Sequence, residues 1–299
     1  MLLKFFSFIF INDYIIIKYN FSQQIFAYKN KQEKKQIINE IKEKEYTEAI
    51  IVDGRLSSTI IAWKAKCKLL NKGFCISINK KHIFERKNLA QKAIDDFAMY
   101  AKTLLNIDYD KNELYPLIGK CDSGKEEIIK NWVESIKKET KDIVLIVPRT
   151  AADIKNWNIH ELGNLNSYLN LEGIKPVYIG SPNDYEYIEK IAGEKINIAG
   201  KFALRDIPEI AKYAKWALSM CTGPLHILGT VKSLPIIAIY GPSDPKRWAP
   251  KSSIVVQSNL ECVPCLNWAK CDKELGQRCM DEITFERVKS VIEEYNLLK

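Results

Sequence analysis

The sequence predicts an α/β fold built on a parallel sheet. Between residues 142 and 240, short apolar runs rich in Ile, Val and Ala alternate with stretches whose apolar residues recur at helical spacing. Apolar runs without polar alternation are typical of parallel strands that helices cover on both faces. The composition is that of a globular protein and excludes a disordered chain, because 46% of the 299 residues are hydrophobic and 27% are charged.

Five strands alternate with helices in the second half of the chain. Gly173 and Gly193 end two of the helices, since glycine readily adopts the backbone conformation that follows a helix C-terminus. Strands and helices that alternate in this way predict a doubly covered parallel sheet. The predicted strands are 143–147, 176–179, 196–199, 216–220 and 235–240, helices begin near His160, Tyr185, Leu204 and Pro224, and Thr284 caps a terminal helix.

The first half of the chain also alternates between strands and helices. Charge density peaks at 137–141, directly before the first strand of the second half, so we predict domains at 1–140 and 141–299. The predicted elements of the first half are helices at 29–44 and 54–70, strands at 49–52 and 75–78, a strand-like run after Asp13, a helical segment within 84–117 and an amphipathic helix at 126–141.

The charge and hydropathy of the sequence narrow the classes of partner that the protein can bind. The net charge of +8 comes from 45 Lys and Arg against 37 Asp and Glu. These lysines are dispersed, which favours anionic small molecules or a membrane surface and argues against nucleic acid. No apolar stretch approaches the roughly 20 residues that span a bilayer, and no small-residue cleavage site follows the apolar run at 2–11. We expect a cytoplasmic protein, with peripheral contact at the inner face of the cytoplasmic membrane as the alternative.

Candidate ligand-binding residues follow the predicted strands, because open parallel sheets bind ligands outside the carboxyl ends of their strands. Arg149, Thr150 and Lys155 follow the strand at 143–147 and suit a phosphate group. A solvated loop with incidental positive charge is the alternative. Asp184 follows the strand at 176–179 and either caps the next helix or accepts hydrogen bonds from ribose hydroxyls. Its spacing favours capping.

The segment Cys221-Thr222-Gly223-Pro224 follows the strand at 216–220. A Thr-Gly turn with proline at the first helical position leaves backbone N–H groups and the positive end of the helix dipole pointing above the sheet. This arrangement predicts a diphosphate site. His226, two residues further, either donates a hydrogen bond to the same phosphate or is a core histidine that faces the sheet.

Taken together, these segments resemble glycosyltransferase family 9, the ADP-heptose:lipopolysaccharide heptosyltransferases. The resemblance implies a GT-B fold, in which two Rossmann-like domains face each other across a cleft. It also implies a metal-independent, inverting transfer of a heptose or related sugar from a nucleoside-diphosphate donor, with ADP-heptose expected, to a lipopolysaccharide-core or other lipid-linked surface glycan. No cofactor is then required for catalysis. The segments that carry the resemblance are 149–157, 180–184, 204–229, 235–250, 262–265 and 279–288.

The resemblance also assigns roles to single residues. It implies that Lys155 contacts the phosphate or sugar of the donor and that Asp184 contacts its ribose. The diphosphate lies among Thr222, Gly223 and His226 on the same basis. Cys221 occupies a position where the family normally has Asp, so one polar contact of the donor site is lost or replaced.

The N-terminal strand and Gly-Asp loop of the family, which supply the presumed catalytic base, have no match in this sequence. The N-terminal domain is therefore expected to be incomplete. Asp13 and Asp53 are the carboxylates near predicted strand ends that could replace the missing base. The alternative is a non-catalytic nucleotide-sugar-binding or assembly protein that has lost its base.

Four cysteines near the C-terminus have the spacing Cys262-x2-Cys265-x5-Cys271-x7-Cys279. Four thiolates this close in sequence can form a tetrahedral structural zinc site. Only the first pair has the CxxC spacing, and free or disulfide-paired thiols are equally compatible with the pattern. The other cysteines, Cys67, Cys75, Cys121 and Cys221, are isolated, as in a cytosolic chain with free thiols.

Overall fold

The computed structural model describes residues 15–19, 22–26, 31–43, 45, 48–51, 56–69, 121, 124–265, 271 and 278–298. These residues fall into two compact units, one containing the described part of 15–69 and the other the described part of 121–298. The helix at 125–137 belongs to the second unit. The domain boundary at 140 stays a prediction, and the predicted strand at 75–78 and helical segment within 84–117 lie outside the described residues.

The first unit is a mixed sheet with helices packed around Ile37, Ile41 and Ile61. The predicted helix at 29–44 is confirmed over 31–43, and the predicted strand at 49–52 is confirmed with a shift of one residue. The predicted helix at 54–70 is confirmed over 56–64 only, and its predicted C-terminal end was wrong because residues 68–69 form a short strand. The unit differs from an all-parallel sheet, because β1 pairs antiparallel with β2 and β3 while β3 is parallel to β4. Two residues separate β1 from β2, which suffices for a hairpin but not for a parallel crossover. The elements are β1 Ile15–Tyr19, β2 Ser22–Phe26, α1 Lys31–Glu43, β3 Glu48–Ile51, α2 Leu56–Lys64 and β4 Lys68–Leu69.

The second unit is the predicted parallel sheet. Its strands and helices agree with the sequence expectations to within a few residues, and a further strand, β10, extends the sheet. The strands are β5 Asp142–Val147, β6 Ile174–Tyr178, β7 Ile196–Asn197, β8 Ala217–Met220, β9 Ile236–Tyr240 and β10 Ser253–Gln257. The helices are α3 Lys125–Lys137, α4 Ile159–Leu171, α5 Tyr185–Glu189, α6 Ile207–Ala211, α7 Gly223–Leu228, α8 Pro245–Trp248, α9 Arg278–Asp281 and α10 Phe285–Glu294.

The strand order is β10-β9-β8-β5-β6-β7, and every pairing is parallel. The chain proceeds from β5 through β6 to β7 at one edge of the sheet. It then returns to place β8 on the other side of β5, and β9 and β10 follow toward the opposite edge. The order therefore reverses between β5 and β8. Loops that leave two such strands in opposite directions open a crevice, and this is where doubly wound sheets bind their ligands.

Both faces of this sheet are buried. Alternate residues of β5 point to opposite sides, so that Val144 and Ile146 pack with α4 and α10 while Ile143, Leu145 and Val147 pack with α3, α6 and α7. This double burial explains the continuous apolar runs that predicted the strands. No helix in the described part of the chain is both long enough and apolar enough to cross a membrane.

Candidate functional site

The loop after β5 holds Thr150 in a fixed local structure. The Thr150 hydroxyl donates to the carbonyl oxygen of Ala152 at 2.7 Å, and the Ala152 N–H donates back to it at 3.1 Å. The backbone N–H of Thr150 donates to Asn156 Oδ1 at 2.7 Å. Thr150 is also buried. Its hydroxyl therefore shapes the loop that carries Arg149 and Lys155.

Arg149 joins the loops that follow β5 and β6. Its guanidinium lies 3.6 Å from a carboxylate oxygen of Asp153 and 3.6 Å from one of Asp184, and 5.3 Å from the centre of the Tyr187 ring. These contacts are longer than a good charge-assisted hydrogen bond. Arg149 is thus positioned at the carboxyl edge of the sheet by weak contacts.

Asp184 closes a capping box on the 3-10 turn at 182–184 after β6. It makes no side-chain capping hydrogen bond to α5, so its cap serves the turn before that helix and not the helix that its spacing favoured. Its Oδ2 accepts hydrogen bonds from the backbone N–H of Ser181 at 2.8 Å and from the Ser181 hydroxyl at 2.7 Å. The other oxygen, Oδ1, is the one near Arg149. A ribose hydroxyl would have to use that second oxygen.

Cys221 marks the end of β8 and lies across the switch point from Lys155. Burial raises the pKa of the Cys221 thiol, and the hydroxyl of Ser243, the positive charge of Lys155 and the hydroxyl of Tyr240 each lower that pKa in part. The charge of Lys155 therefore reaches the end of the neighbouring strand. This is consistent with the strand order, which makes β5 and β8 neighbours.

Tyr240 and Ser243 are site residues that the sequence analysis missed. Both are almost fully buried, and among the described residues their hydroxyls complete no hydrogen bond of good geometry. Both interact with Cys221 because the pairing of β8 with β9 brings the ends of these strands together. The loop that begins at Gly241 was a weak sequence signal for Ser243, because it follows a predicted strand. Tyr240 gave no such signal, since it is the last residue of an apolar strand and resembles an ordinary core residue.

The turn that leads into α7 is open above the sheet. Thr222 has an extended backbone directly before the helix, and its side chain makes no capping hydrogen bond. Gly223 is exposed, and a Cβ atom built on it would meet no other atom within 4 Å. Pro224 follows within the first turn of the helix, as predicted. Another group can therefore approach the backbone of this turn closely.

His226 packs against α8 and is partly buried. Its ring centre lies 6.2 Å from that of Trp248, with the two rings tilted by 54°. Burial lowers the pKa of His226 to about 4, so the imidazole is neutral near pH 7. It can offer a hydrogen bond to a phosphate, but it cannot neutralise one.

The C-terminal cysteines share one neighbourhood. Burial raises the pKa of Cys279 to about 11, with further contributions from the charges of Cys265, Cys262 and Cys271. Cys279 also lies against the turn after β9, because a Cβ on Gly241 would come within 3.2 Å of its sulfur. Within the described ranges, however, no three of the four sulfurs lie within 4.8 Å of one another. The structural zinc stays a prediction.

The two candidates for the catalytic base, Asp13 and Asp53, lie outside the described residues. The other predicted site residues follow β5, β6 and β8 at the carboxyl edge of one sheet. Arg149 and Asp184 meet directly, and Lys155 acts on Cys221.

Known proteins resemble this chain in both sequence and fold. A family model described as glycosyltransferase family 9 (heptosyltransferase) matches residues 35–275. The lipopolysaccharide core heptosyltransferase OpsX of Haemophilus influenzae is 28% identical over 140 residues, which are 45% of this chain and 38% of that protein. The aligned region therefore spans less than half of that relative.

Solved structures show the same fold. The ADP-heptose lipopolysaccharide heptosyltransferase II of E. coli has a TM-score of 0.64 and 19% identity, covering 89% of this chain and 81% of its own. The glycosyl transferase family 9 protein of Veillonella parvula has a TM-score of 0.67 and 17% identity, covering 91% and 80%. E. coli heptosyltransferase WaaC with ADP-2-deoxy-2-fluoro heptose has a TM-score of 0.60 and 19% identity, covering 89% and 77%.

These likenesses confirm the predicted fold class, which is α/β and GT-B-like. The family model extends from α1 to the C-terminal cysteines and includes every loop at the switch point. It matches well over half of the chain, and the protein therefore belongs to glycosyltransferase family 9 (heptosyltransferase).

Proposed function

We propose that this chain is a glycosyltransferase that binds a nucleoside-diphosphate sugar at the switch point between β5 and β8. The observation that carries the proposal is the effect of the Lys155 charge on Cys221, the residue directly before the open turn at Thr222 and Gly223. A cation and an accessible backbone turn at the carboxyl edge of a parallel sheet suit a diphosphate. Membership of family 9 supports the same function.

The donor in this proposal is ADP-heptose or a closely related nucleotide sugar. The family is described as heptosyltransferase, and one relative of the same fold was solved with ADP-2-deoxy-2-fluoro heptose. Its acceptor is the lipopolysaccharide core or another lipid-linked surface glycan, in line with the name of the H. influenzae relative. Such an acceptor would bring the enzyme to the inner face of the cytoplasmic membrane.

The proposed reaction inverts the anomeric carbon. An acceptor hydroxyl attacks that carbon from the face opposite the diphosphate, so that a new C–O bond forms as the bond to the diphosphate oxygen breaks. The hydroxyl proton passes to a carboxylate, for which Asp13 and Asp53 are the candidates. The departing diphosphate gains negative charge, which Lys155 and Arg149 would stabilise, while neutral His226 would donate a hydrogen bond.

Nucleotide titration of the purified full-length chain tests the donor site. We expect ADP to bind more tightly than UDP and Lys155→Ala to weaken ADP binding by about tenfold or more, the equivalent of one charge-assisted hydrogen bond. Lys175→Ala is the matched control, because Lys175 lies near the start of β6 and pairs with Glu194 at 2.9 Å. Equal ADP affinities in the wild-type chain and in Lys155→Ala would contradict the proposed site.

Transfer is tested separately with ADP-heptose and a lipopolysaccharide-core acceptor. Release of ADP that depends on the acceptor would establish the enzyme. Tight nucleotide binding without transfer would instead favour a nucleotide-sugar-binding protein that lacks its base.

The C-terminal cysteines belong to the proposal as a structural element. The charges of Cys262, Cys265 and Cys271 act on the thiol of Cys279, and a zinc ion could draw the four thiols into a tetrahedral site beside the turn after β9. Zinc there would stabilise that turn and take no part in sugar transfer.

A further inference from the structure

A second group of polar side chains lies where α3 packs against α6. It contains Cys121, which precedes α3, Glu126 in the first turn of α3, and Glu209 on α6. The donor-site proposal uses none of these residues. The sulfur of Cys121 and one carboxylate oxygen from each glutamate all lie within 4.8 Å of one another.

These distances fit a metal ion after small side-chain movements. Tetrahedral zinc with bonds of about 2.3 Å to sulfur and about 2.1 Å to oxygen places its ligand atoms roughly 3.4 to 3.6 Å apart. The Glu126 side chain is exposed, so it can turn inward without disturbing the core. Cys121 is buried and fixes one corner of the site.

Asp206, which lies directly before α6, adds a buried carboxylate beside this group. It is fully buried, and its Oδ2 accepts hydrogen bonds from Lys125 at 3.1 Å and from the backbone N–H of Ala203 at 3.0 Å. Its Oδ1 is buried and has no hydrogen-bond partner among the described residues. A buried carboxylate oxygen in this state calls for a partner, which can be a water molecule or an ion.

Asp206 also lies close to the thiol. Burial raises the pKa of Cys121, and the charges of Glu209, Glu126 and Asp206 raise it further, while Lys212 lowers it. Three carboxylates therefore surround one thiol, and each of them acts on it.

The charges of this group balance around a divalent cation. Glu126, Glu209 and Asp206 bring three negative charges. Lys125 pairs with Asp206 and Lys212 with Glu209, bringing two positive charges and leaving a net charge of minus one. Loss of the Cys121 proton on metal binding makes this minus two, which one divalent ion neutralises.

We propose that Cys121, Glu126 and Glu209 form a zinc site that joins the start of α3 to α6, with Asp206 beside it. One thiolate and two carboxylates form a mixed soft and hard donor set, which suits borderline Zn²⁺ better than Mg²⁺ or Ca²⁺. The site is separate from the C-terminal cysteines and independent of the proposed sugar transfer.

Cobalt titration of the full-length chain tests this site, since Co²⁺ replaces zinc and a cobalt–thiolate bond absorbs in the near ultraviolet. The C-terminal cysteines are first disabled by the double substitution Cys262→Ser, Cys265→Ser. We expect that variant to bind about one Co²⁺ with thiolate absorption. Adding Cys121→Ser should abolish the absorption, and adding Glu209→Gln should weaken binding by about tenfold or more.

Cys67→Ser is the matched control, because Cys67 is also buried but belongs to the first unit and not to this group. It should leave the cobalt absorption unchanged. If Cys121→Ser fails to fold by circular dichroism, Glu126→Gln at the exposed ligand replaces it, with the same expected weakening. The proposal is overturned if the double variant shows no cobalt–thiolate absorption, or if the absorption and affinity survive the substitutions at Cys121, Glu126 and Glu209.

Discussion

Gly223→Ala should separate folding from nucleotide binding. The added Cβ would meet no atom within 4 Å, and the backbone of Gly223 does not need the left-handed region. Alanine in place of glycine at such a position stabilises a protein by about 0.4 to 1 kcal/mol, because it restricts the unfolded chain. If a diphosphate approaches this backbone, the same methyl group displaces it. Loss of one hydrogen bond to a charged group, about 1.5 to 3 kcal/mol, corresponds to roughly 10-fold to 150-fold weaker ADP binding.

Two measurements on the Gly223→Ala chain check this expectation. Urea unfolding should show an equal or higher free energy of unfolding, and calorimetric titration should show the loss of ADP affinity. Unchanged ADP affinity in a stable variant would refute the placement of the diphosphate on this turn. A destabilised variant would refute the assignment of open space above Gly223.

Four further outcomes are expected. Gly229→Ala should lower the free energy of unfolding by about 1 to 3 kcal/mol in urea, because its Cβ would lie 2.6 Å from Cβ of Pro250; an unchanged midpoint would contradict this packing. Arg149→Ala should change the free energy of unfolding by less than about 1 kcal/mol, because the ion pairs of Arg149 are long and partly exposed. The same substitution should weaken ADP binding by about tenfold. Unchanged ADP affinity would exclude Arg149 from the site. The pKa of His226 falls from 6.5 to about 4 on folding, so between these pH values the unfolded chain binds more protons than the folded chain. The contribution of His226 to the free energy of unfolding should therefore decrease as the pH is lowered from 6.5 to 4, and it should not change above pH 6.5. His226→Asn should flatten that pH dependence in thermal unfolding, and an identical pH profile in the variant would count against burial as its cause. Cys265→Ser should reduce the metal content of the purified chain by about one zinc, as measured by mass spectrometry, if the C-terminal thiols hold the ion; equal zinc contents would argue for free thiols.

The central strands of the second unit could be predicted because both of their faces are buried. β5 and β9 are therefore continuous apolar runs. β10 was missed because it is an edge strand in which Val255 is 40% exposed, so its apolar signal is weaker. The segment that begins at Leu204 was predicted as one helix. The structure has a 3-10 turn at 204–206 and then α6, and Pro208, which lacks an N–H group, sits in the first turn of α6.

The residues of the candidate site could be predicted where they directly follow a predicted strand in the sequence. Arg149, Lys155 and Gly223 were found in this way. Tyr240 and Ser243 were not, because their contact with Cys221 depends on which strands are neighbours. The role of Thr150 was equally hidden, since its hydroxyl is used by the backbone of its own loop.

Arg149 and Asp184 together suggest how the donor would fit this site. Oδ2 of Asp184 is held by two short hydrogen bonds from Ser181, whereas its Oδ1 and the guanidinium of Arg149 are 3.6 Å apart. Such a contact at a half-exposed surface contributes little, so a diphosphate would be a stronger partner for Arg149. If Arg149 turns to the diphosphate, Oδ1 becomes available to a ribose hydroxyl while Oδ2 continues to cap the turn. Capping and ribose binding by Asp184 are therefore compatible, because they use different oxygens of one carboxylate.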